Sequence, residues 1–208
     1  MKRIFGLALV TLVGAGFFAS CVEEDDVAVA PFKEVIFAET FEPGDLVNNR
    51  VFAFEGWTNF AETGTKKWTE RIVNSSLSFI QFNPFGSPSE PSNIGWVITP
   101  AIELEASDNA VLKFRSASNF VNSPDNKLEV LISTNFDGTA AGVTTATWTP
   151  LDADVADNTT NGYTYIPSGD IDLAGYTGTV HIAFRVTGNG SNLAGLYQVD
   201  DVLVYSNN

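Results

Sequence analysis

From residue 35 onward, apolar and polar residues alternate with a period of two over several stretches. Val35, Phe37, Glu39 and Phe41 share one face of an extended segment. Leu128, Val130 and Ile132 alternate with Glu129 and Ser133, and Val180, Ile182, Phe184 and Val186 alternate with His181, Arg185 and Thr187. This period places alternate side chains on opposite faces of a strand, one of them buried. Residues 110–114 and 197–205 are two further candidate strands. Between them lie Ser123-Pro124-Asp125-Asn126, Asn135-Phe136-Asp137-Gly138, Asn161-Gly162 and Gly188-Asn189-Gly190, whose residue types favour turns. No segment after residue 31 has the spacing of an amphipathic helix. The pattern predicts an all-β domain, a jelly-roll β-sandwich of two antiparallel sheets over residues 35–207. The first strand falls near residue 35 and the last near residue 202, so their pairing would bring both ends of the domain together. The longest loop candidates are 82–93 and the acidic stretch 152–161.

The first twenty residues follow another rule. Met1-Lys2-Arg3 is basic, Ile4 to Phe18 is apolar or small, and Phe18-Ala19-Ser20 leads to Cys21. A basic head, a short apolar body and a small-residue cleavage site describe a signal peptide over residues 1–20. The apolar run is shorter than the roughly 20 residues that a membrane-spanning helix needs. Cys21 is the one cysteine of the chain, so no internal disulfide is available. Its position resembles a bacterial lipobox, with Phe18 where leucine is commonest, and implies acylation of Cys21. More than one acyl chain holds a protein to a membrane stably, because each buried CH₂ contributes about 0.8 kcal/mol. Residues 21–34 then form a lipidated cysteine and a flexible acidic linker. Val22-Glu23-Glu24-Asp25-Asp26 is at least a solvated charge run. It also resembles the surface-export signal of lipoproteins from Bacteroidota-type bacteria. Together these imply an outer-membrane lipoprotein exposed at the cell surface.

Composition narrows the partners. The chain carries 25 acidic against 11 basic side chains, a formal charge of −14. Such a surface repels nucleic acid and anionic headgroups, and suits neutral ligands, cationic partners or divalent metals. Catalytic equipment is sparse. His181 is the one histidine, and it falls on the polar face of its strand. No Gly-Xaa-Ser-Xaa-Gly elbow, Walker loop or His-Glu-Xaa-Xaa-His occurs. The chain therefore reads as a non-enzyme.

Several segments carry a family resemblance in their order. They are Glu39-Thr40-Phe41-Glu42-Pro43-Gly44, Gly56-Trp57, Trp68, Trp96 to Leu104, Val130 to Gly138, Trp148-Thr149-Pro150-Leu151, Ile182 to Arg185, and Val199-Asp200-Asp201-Val202. This set resembles the choice-of-anchor J and cleaved-adhesin group of jelly-roll domains, similar in turn to MAM and galactose-binding-like modules. The resemblance covers roughly residues 35 to 205. It implies an extracellular sandwich used for adhesion or ligand binding, often with structural calcium.

Two sets of candidate site residues follow. Glu39 shares a face with apolar neighbours, and Asp200 and Asp201 alternate with valines and Leu203. A carboxylate on an apolar face must be paired, protonated or bound to metal. If the terminal strands pair, Glu39, Glu42, Asp200 and Asp201 are candidates for a structural calcium ion, which takes six to eight oxygens. In the families that the chain resembles, an early Glu and a late Asp at matching positions hold calcium. Trp57, Trp68, Trp96 and Trp148 are expected to fill the core, as large aromatics in a sandwich do. Phe85 and Phe120, beside loop signals, are the candidates for ligand contact. The expected function is adhesion or ligand binding, with carbohydrate as one ligand class and a glycan or an envelope or host protein as partner. The alternatives are an accessory subunit of an envelope assembly and, third, a glycosidase. The membrane is reached through the lipid anchor, and nucleic acid is not a partner.

Overall fold

The alternation resolves into thirteen strands in a computed structural model that describes residues 33–87 and 90–208. The expected signal peptide, Cys21 and the acidic run all fall outside the described residues. In chain order the strands are β1 (Val35–Glu39), β2 (Thr58–Thr63), β3 (Thr69–Asn74), β4 (Leu77–Phe82), β5 (Asn93–Ile98), β6 (Ile102–Leu104) and β7 (Val111–Asn119). They continue with β8 (Lys127–Ser133), β9 (Thr149–Pro150), β10 (Ile166–Pro167), β11 (Ile171–Asp172), β12 (Gly178–Gly188) and β13 (Leu196–Tyr205). One sheet runs β10-β7-β13-β4-β3, with β1 added to β13 and β11 to β7. The other runs β2-β5-β12-β8-β9, with β6 added to β12. Every pairing between these strands is antiparallel, as the predicted sandwich requires.

Alternate residues of each sheet meet in the layer between them. Ile80 and Phe82 of β4, Leu112 and Phe114 of β7, and Val199, Val202 and Val204 of β13 face Val97 of β5, Val130 and Ile132 of β8, and Ile182 and Phe184 of β12. Phe114 and Phe184 meet edge to face across the layer, with ring centres 5.1 Å apart. Trp68 is fully buried, and its indole N–H donates to the Gly95 carbonyl at 3.2 Å. Gly95 lies under Phe82, so a Cβ there would overlap the ring.

The tryptophans are core residues, but in two cores. Trp68 lies between the sheets with Trp57 packed at the margin. Trp96 and Ile98 point the other way from β5. They join Leu131, Phe136, Val143 and Ala183, with Trp148 against them, in a second cluster on the outer face of the β5-β12-β8 sheet. That cluster corrects the expectation for His181. The histidine lies on the outer face as expected, yet it is buried, because the segment after β8 folds over it. Its Nδ1 is 2.9 Å from the Thr99 carbonyl and its ring meets Phe136 edge to face at 5.0 Å.

The first and last strands do pair: Ala38 lies opposite Leu203 and Glu39 opposite Val202. Near the start of β3, Glu70 is fully buried and fastens the loop between β1 and β2. It accepts from the Val47 amide at 2.6 Å and from Arg50 Nε at 2.9 Å.

Gly95→Ala is expected to lower the unfolding free energy by about 1–3 kcal/mol, the usual penalty for overfilling a packed layer. Chemical denaturation monitored by tryptophan fluorescence checks it. An unchanged midpoint would show that Phe82 has room to move aside.

Candidate ligand-binding site

The acidic residues proposed for calcium are arranged for another purpose. On β13, Asp200 stands opposite Arg115 of β7, but the next paired residue, Leu203, stands opposite Lys113. One extra residue is thus inserted into β13, a β-bulge, and Asp201 takes a left-handed φ of 52°. The bulge breaks the alternation, so that Val199, Val202 and Val204 all reach the core. Asp200 therefore leaves the face of Val202 and Val204, where simple alternation puts it. It is nonetheless only 2% exposed. Its Oδ2 is 2.6 Å from Arg115 Nη2, and Asp201 Oδ2 is 2.8 Å from Arg115 Nε.

The Arg115 guanidinium thus pairs with both aspartates. Glu39 is turned back on its own chain, its Oε1 accepting from the Phe41 amide at 3.0 Å, and Glu42 is exposed. Among the described residues no three His, Cys, Asp or Glu side chains are grouped closely enough to hold a metal ion. These four acids do not fit the expected calcium. A buried carboxylate needs a partner, and for Asp200 an arginine from the neighbouring strand supplies it. Burial pushes the Asp200 carboxyl up to about 6; the Arg115 hydrogen bond lowers it, and Asp201 adds to the rise. Burial also raises Glu39, against the pull of the Phe41 amide.

Phe85 and Phe120 are brought together. Gly188 pairs with Asn93 and Thr187 with Lys127, while Leu196 pairs with Asn119 and Tyr197 with Phe82. These registers gather three connections at one end of the sandwich: β4 to β5, β7 to β8, and β12 to β13. There they enclose a cleft of about 600 Å³ lined by Asn83, Phe85, Phe120, Val121, Ser191 and Leu196, with Asn122 and Ala194. Phe85 is 69% and Phe120 68% exposed. The size lies within the range of small-ligand sites, which combine apolar walls with a few placed polar groups.

Asparagines hold these loops. Asn83 Oδ1 accepts from the Phe85 amide at 3.0 Å, and Lys66 Nζ donates to the Phe85 carbonyl at 2.9 Å. Asn161 accepts from the Val121 amide at 3.0 Å and donates to its carbonyl at 2.7 Å. Asn189 Oδ1 accepts from the amides of Ser191 and Leu193. Buried Asn126 donates to the Thr187 carbonyl at 2.9 Å, while its own carbonyl accepts from the Tyr197 hydroxyl at 2.5 Å. Gly195 permits this closeness, since a Cβ there would lie 2.5 Å from Asn126 Oδ1 and 2.6 Å from Val121 Cα.

Phe120 is held in a left-handed conformation, φ 61°, and so is Tyr163, φ 62°, whose ring meets it edge to face at 6.5 Å. A left-handed residue other than glycine costs roughly 1–2 kcal/mol. Neither ring recovers that by burial, since Tyr163 is also exposed. Strain of this kind collects at binding surfaces. In the sequence the asparagines are legible only as turn formers, and Tyr163 is not marked by those clusters. The Tyr163-Thr164-Tyr165 alternation was the available signal that this loop presents aromatic rings.

The unfolded chain releases the Asp200 proton near pH 4, as ordinary aspartates do, and the folded protein near 6. Between those values the folded state binds more protons, so this group's contribution to stability falls as pH rises. A carboxyl resonance titrating near 6 is expected by NMR, and Asp200→Asn should flatten the stability profile over that window. A midpoint below 4 would show that Arg115 outweighs burial.

Residues 102–204, from β6 to β13, match the model of a family described as a domain of unknown function, DUF5017. No curated protein matches the chain. Among solved structures, the K1 cleaved adhesin domain of Lys-gingipain from Porphyromonas gingivalis W83 is similar, at 19% identity and a TM-score of 0.53, over 83% of this chain and 98% of that one. The K3 cleaved adhesin domain of the same protein aligns at 15% identity and a TM-score of 0.47, over 77% and 99%. The CBM22-1 xylan-binding domain of Paenibacillus barcinonensis Xyn10C aligns at 11% and 0.45, over 85% and 97%. The likeness to the K1 domain shows that this chain has the jelly-roll sandwich fold that the cleaved-adhesin resemblance implies.

Proposed function

We propose that this chain is a non-catalytic binding module of the bacterial cell envelope, and that the cleft between Phe85 and Phe120 holds a neutral glycan. The observation that carries this reading is the pair of two-thirds-exposed phenylalanines on one cleft, set on loops tied down by side-chain hydrogen bonds. A soluble protein gains nothing in stability from such rings, and one of them sits on a strained backbone. Flat aromatic faces suit the C–H faces of a sugar ring, and Asn83, Asn122 and Ser191 supply amide and hydroxyl partners for sugar hydroxyls. No ionisable side chain is among the described residues lining the cleft, which supports binding over acid–base chemistry. The charge of −14 disfavours an anionic ligand at long range. The sequence of the leader supports acylation of Cys21 and display at the outer surface.

Phe120→Gly relieves the left-handed strain while deleting the ring. It is therefore expected to leave the melting temperature unchanged or higher, and to weaken binding at least tenfold to the strongest glycan found on an array. Phe85→Ala should weaken the same binding comparably. Calorimetric titration measures both, and undiminished affinity in the two variants would sink the cleft reading. Retention on the array of no glycan at all, with one envelope protein co-purifying instead, would favour the accessory-subunit alternative.

Cys21→Ser is expected to move the protein from the membrane to the soluble fraction, and mass spectrometry of the wild-type N-terminal peptide should show acyl chains. An unmodified Cys21 in the membrane fraction would refute lipidation.

A further inference from the structure

We infer that a second binding site, continuous with the cleft, crosses the open face of the β3-β4-β13 sheet, and that one neutral oligosaccharide occupies both. The inference rests on the cleft being a glycan site and extends it to ligand length. A groove of about 340 Å³ runs here, lined by Arg71, Phe79, Gln81, Tyr163, Tyr165 and Gln198, with Val73 and Leu77 at its side.

The topology explains why it is there. Ile80, Phe82, Tyr197 and Val199 face the core, so their neighbours Phe79, Gln81 and Gln198 face outward and make the floor. Arg71 lies opposite Phe79 on the edge strand β3. The segment leading into β10, at the other side of the same sheet, brings Tyr163 and Tyr165 over the face. Tyr163 is pinned by its amide, which donates to the Ser118 carbonyl at 3.0 Å. Tyr165 is pinned by Phe79, 6.3 Å between ring centres, and by the Arg115 guanidinium 4.6 Å from its own ring centre.

The polar groups of this groove are underused by the protein. Gln198 Nε2 donates to Gln81 Oε1 at 3.2 Å, a single bond between two amides that each carry two N–H donors and a carbonyl acceptor. The Tyr165 hydroxyl and Arg71 Nε are buried with no hydrogen-bond partner among the described residues. Buried polar groups in native proteins are nearly always satisfied, so unpartnered ones at a groove point to a ligand that completes them. Aromatic walls with mixed donors and acceptors match a polyhydroxylated ligand rather than an apolar one. Tyr163 lines this groove and touches Phe120, which lines the cleft. A chain of sugars leaving the cleft therefore passes along one aromatic edge onto the sheet.

Tyr165→Phe separates the possibilities, because it deletes only the unpartnered hydroxyl. Titration calorimetry of the full protein with neutral gluco-, manno-, xylo- and galacto-oligosaccharides, from disaccharide to hexasaccharide, is the measurement. Affinity is expected to rise with length in the series that binds. Tyr165→Phe should lose roughly tenfold toward the long members only, without any fall in melting temperature, and Arg71→Met, which also gives up the bond from Arg71 to Asn49, should lose the same affinity. Phe120→Gly should weaken every member. Flat affinity with length, together with unchanged binding by Tyr165→Phe and Arg71→Met, would overturn the groove and leave the cleft standing. No binding by any member of any series would remove the cleft reading and the groove with it.

Discussion

The last strand holds this molecule together. β13 is bonded along one side to β7 and along the other first to β4 and then to β1, so three strands that are remote in sequence meet on one segment. Its inward valines anchor the layer between the sheets. Its outward residues carry Gln198 onto the open face and Asp200 beneath Arg115. The bulge between Asp200 and Leu203 lets one strand serve both roles, since the extra residue turns the acids outward without taking Val202 and Val204 out of the core.

That arrangement separates the packed interior from the proposed binding surfaces. The interior is apolar and closed by edge-to-face rings and hydrogen-bonded Trp68, while the buried acids Glu70 and Asp200 are each matched by an arginine. Breaking such a pair from one side leaves a buried charge, which is far more damaging than losing a surface ion pair. The cleft and the groove lie instead at one end and on one face of the sandwich, where strand registers converge the loops. The loops are short of apolar burial and depend on asparagine side chains to set their shape. The strained, exposed aromatics Phe120 and Tyr163 sit among these hydrogen-bonded loops.

Much of the fold was legible because alternation is a local signal. Val180 to Val186, Leu128 to Ile132 and the terminal strands were all readable as strands, and the Gly, Asn and Asp clusters marked the loops that now carry the cleft. Phe85 and Phe120 could be picked out as large apolar residues among turn formers. Reading failed where the answer lay on another strand. Alternation could not show that the segment around Phe136 and Trp148 folds back over the outer sheet, and so His181 looked exposed. Nor does it show the bulge, without which alternation puts Asp200 on the face of Val202 and Val204. Nor could it show that Arg115 would be its partner.

The sequence alone determined the sandwich class, the position of the loops and the charge that disfavours nucleic acid. Each depends on residue types within a few positions of one another, or on composition. Only the tertiary structure decided which acids are paired, which aromatics share a cleft, and how Tyr163 joins that cleft to Gln81, Gln198 and Tyr165 on the sheet. Those relations depend on register between strands that lie up to 117 residues apart, as Gln81 and Gln198 do, and no short window of the chain contains them.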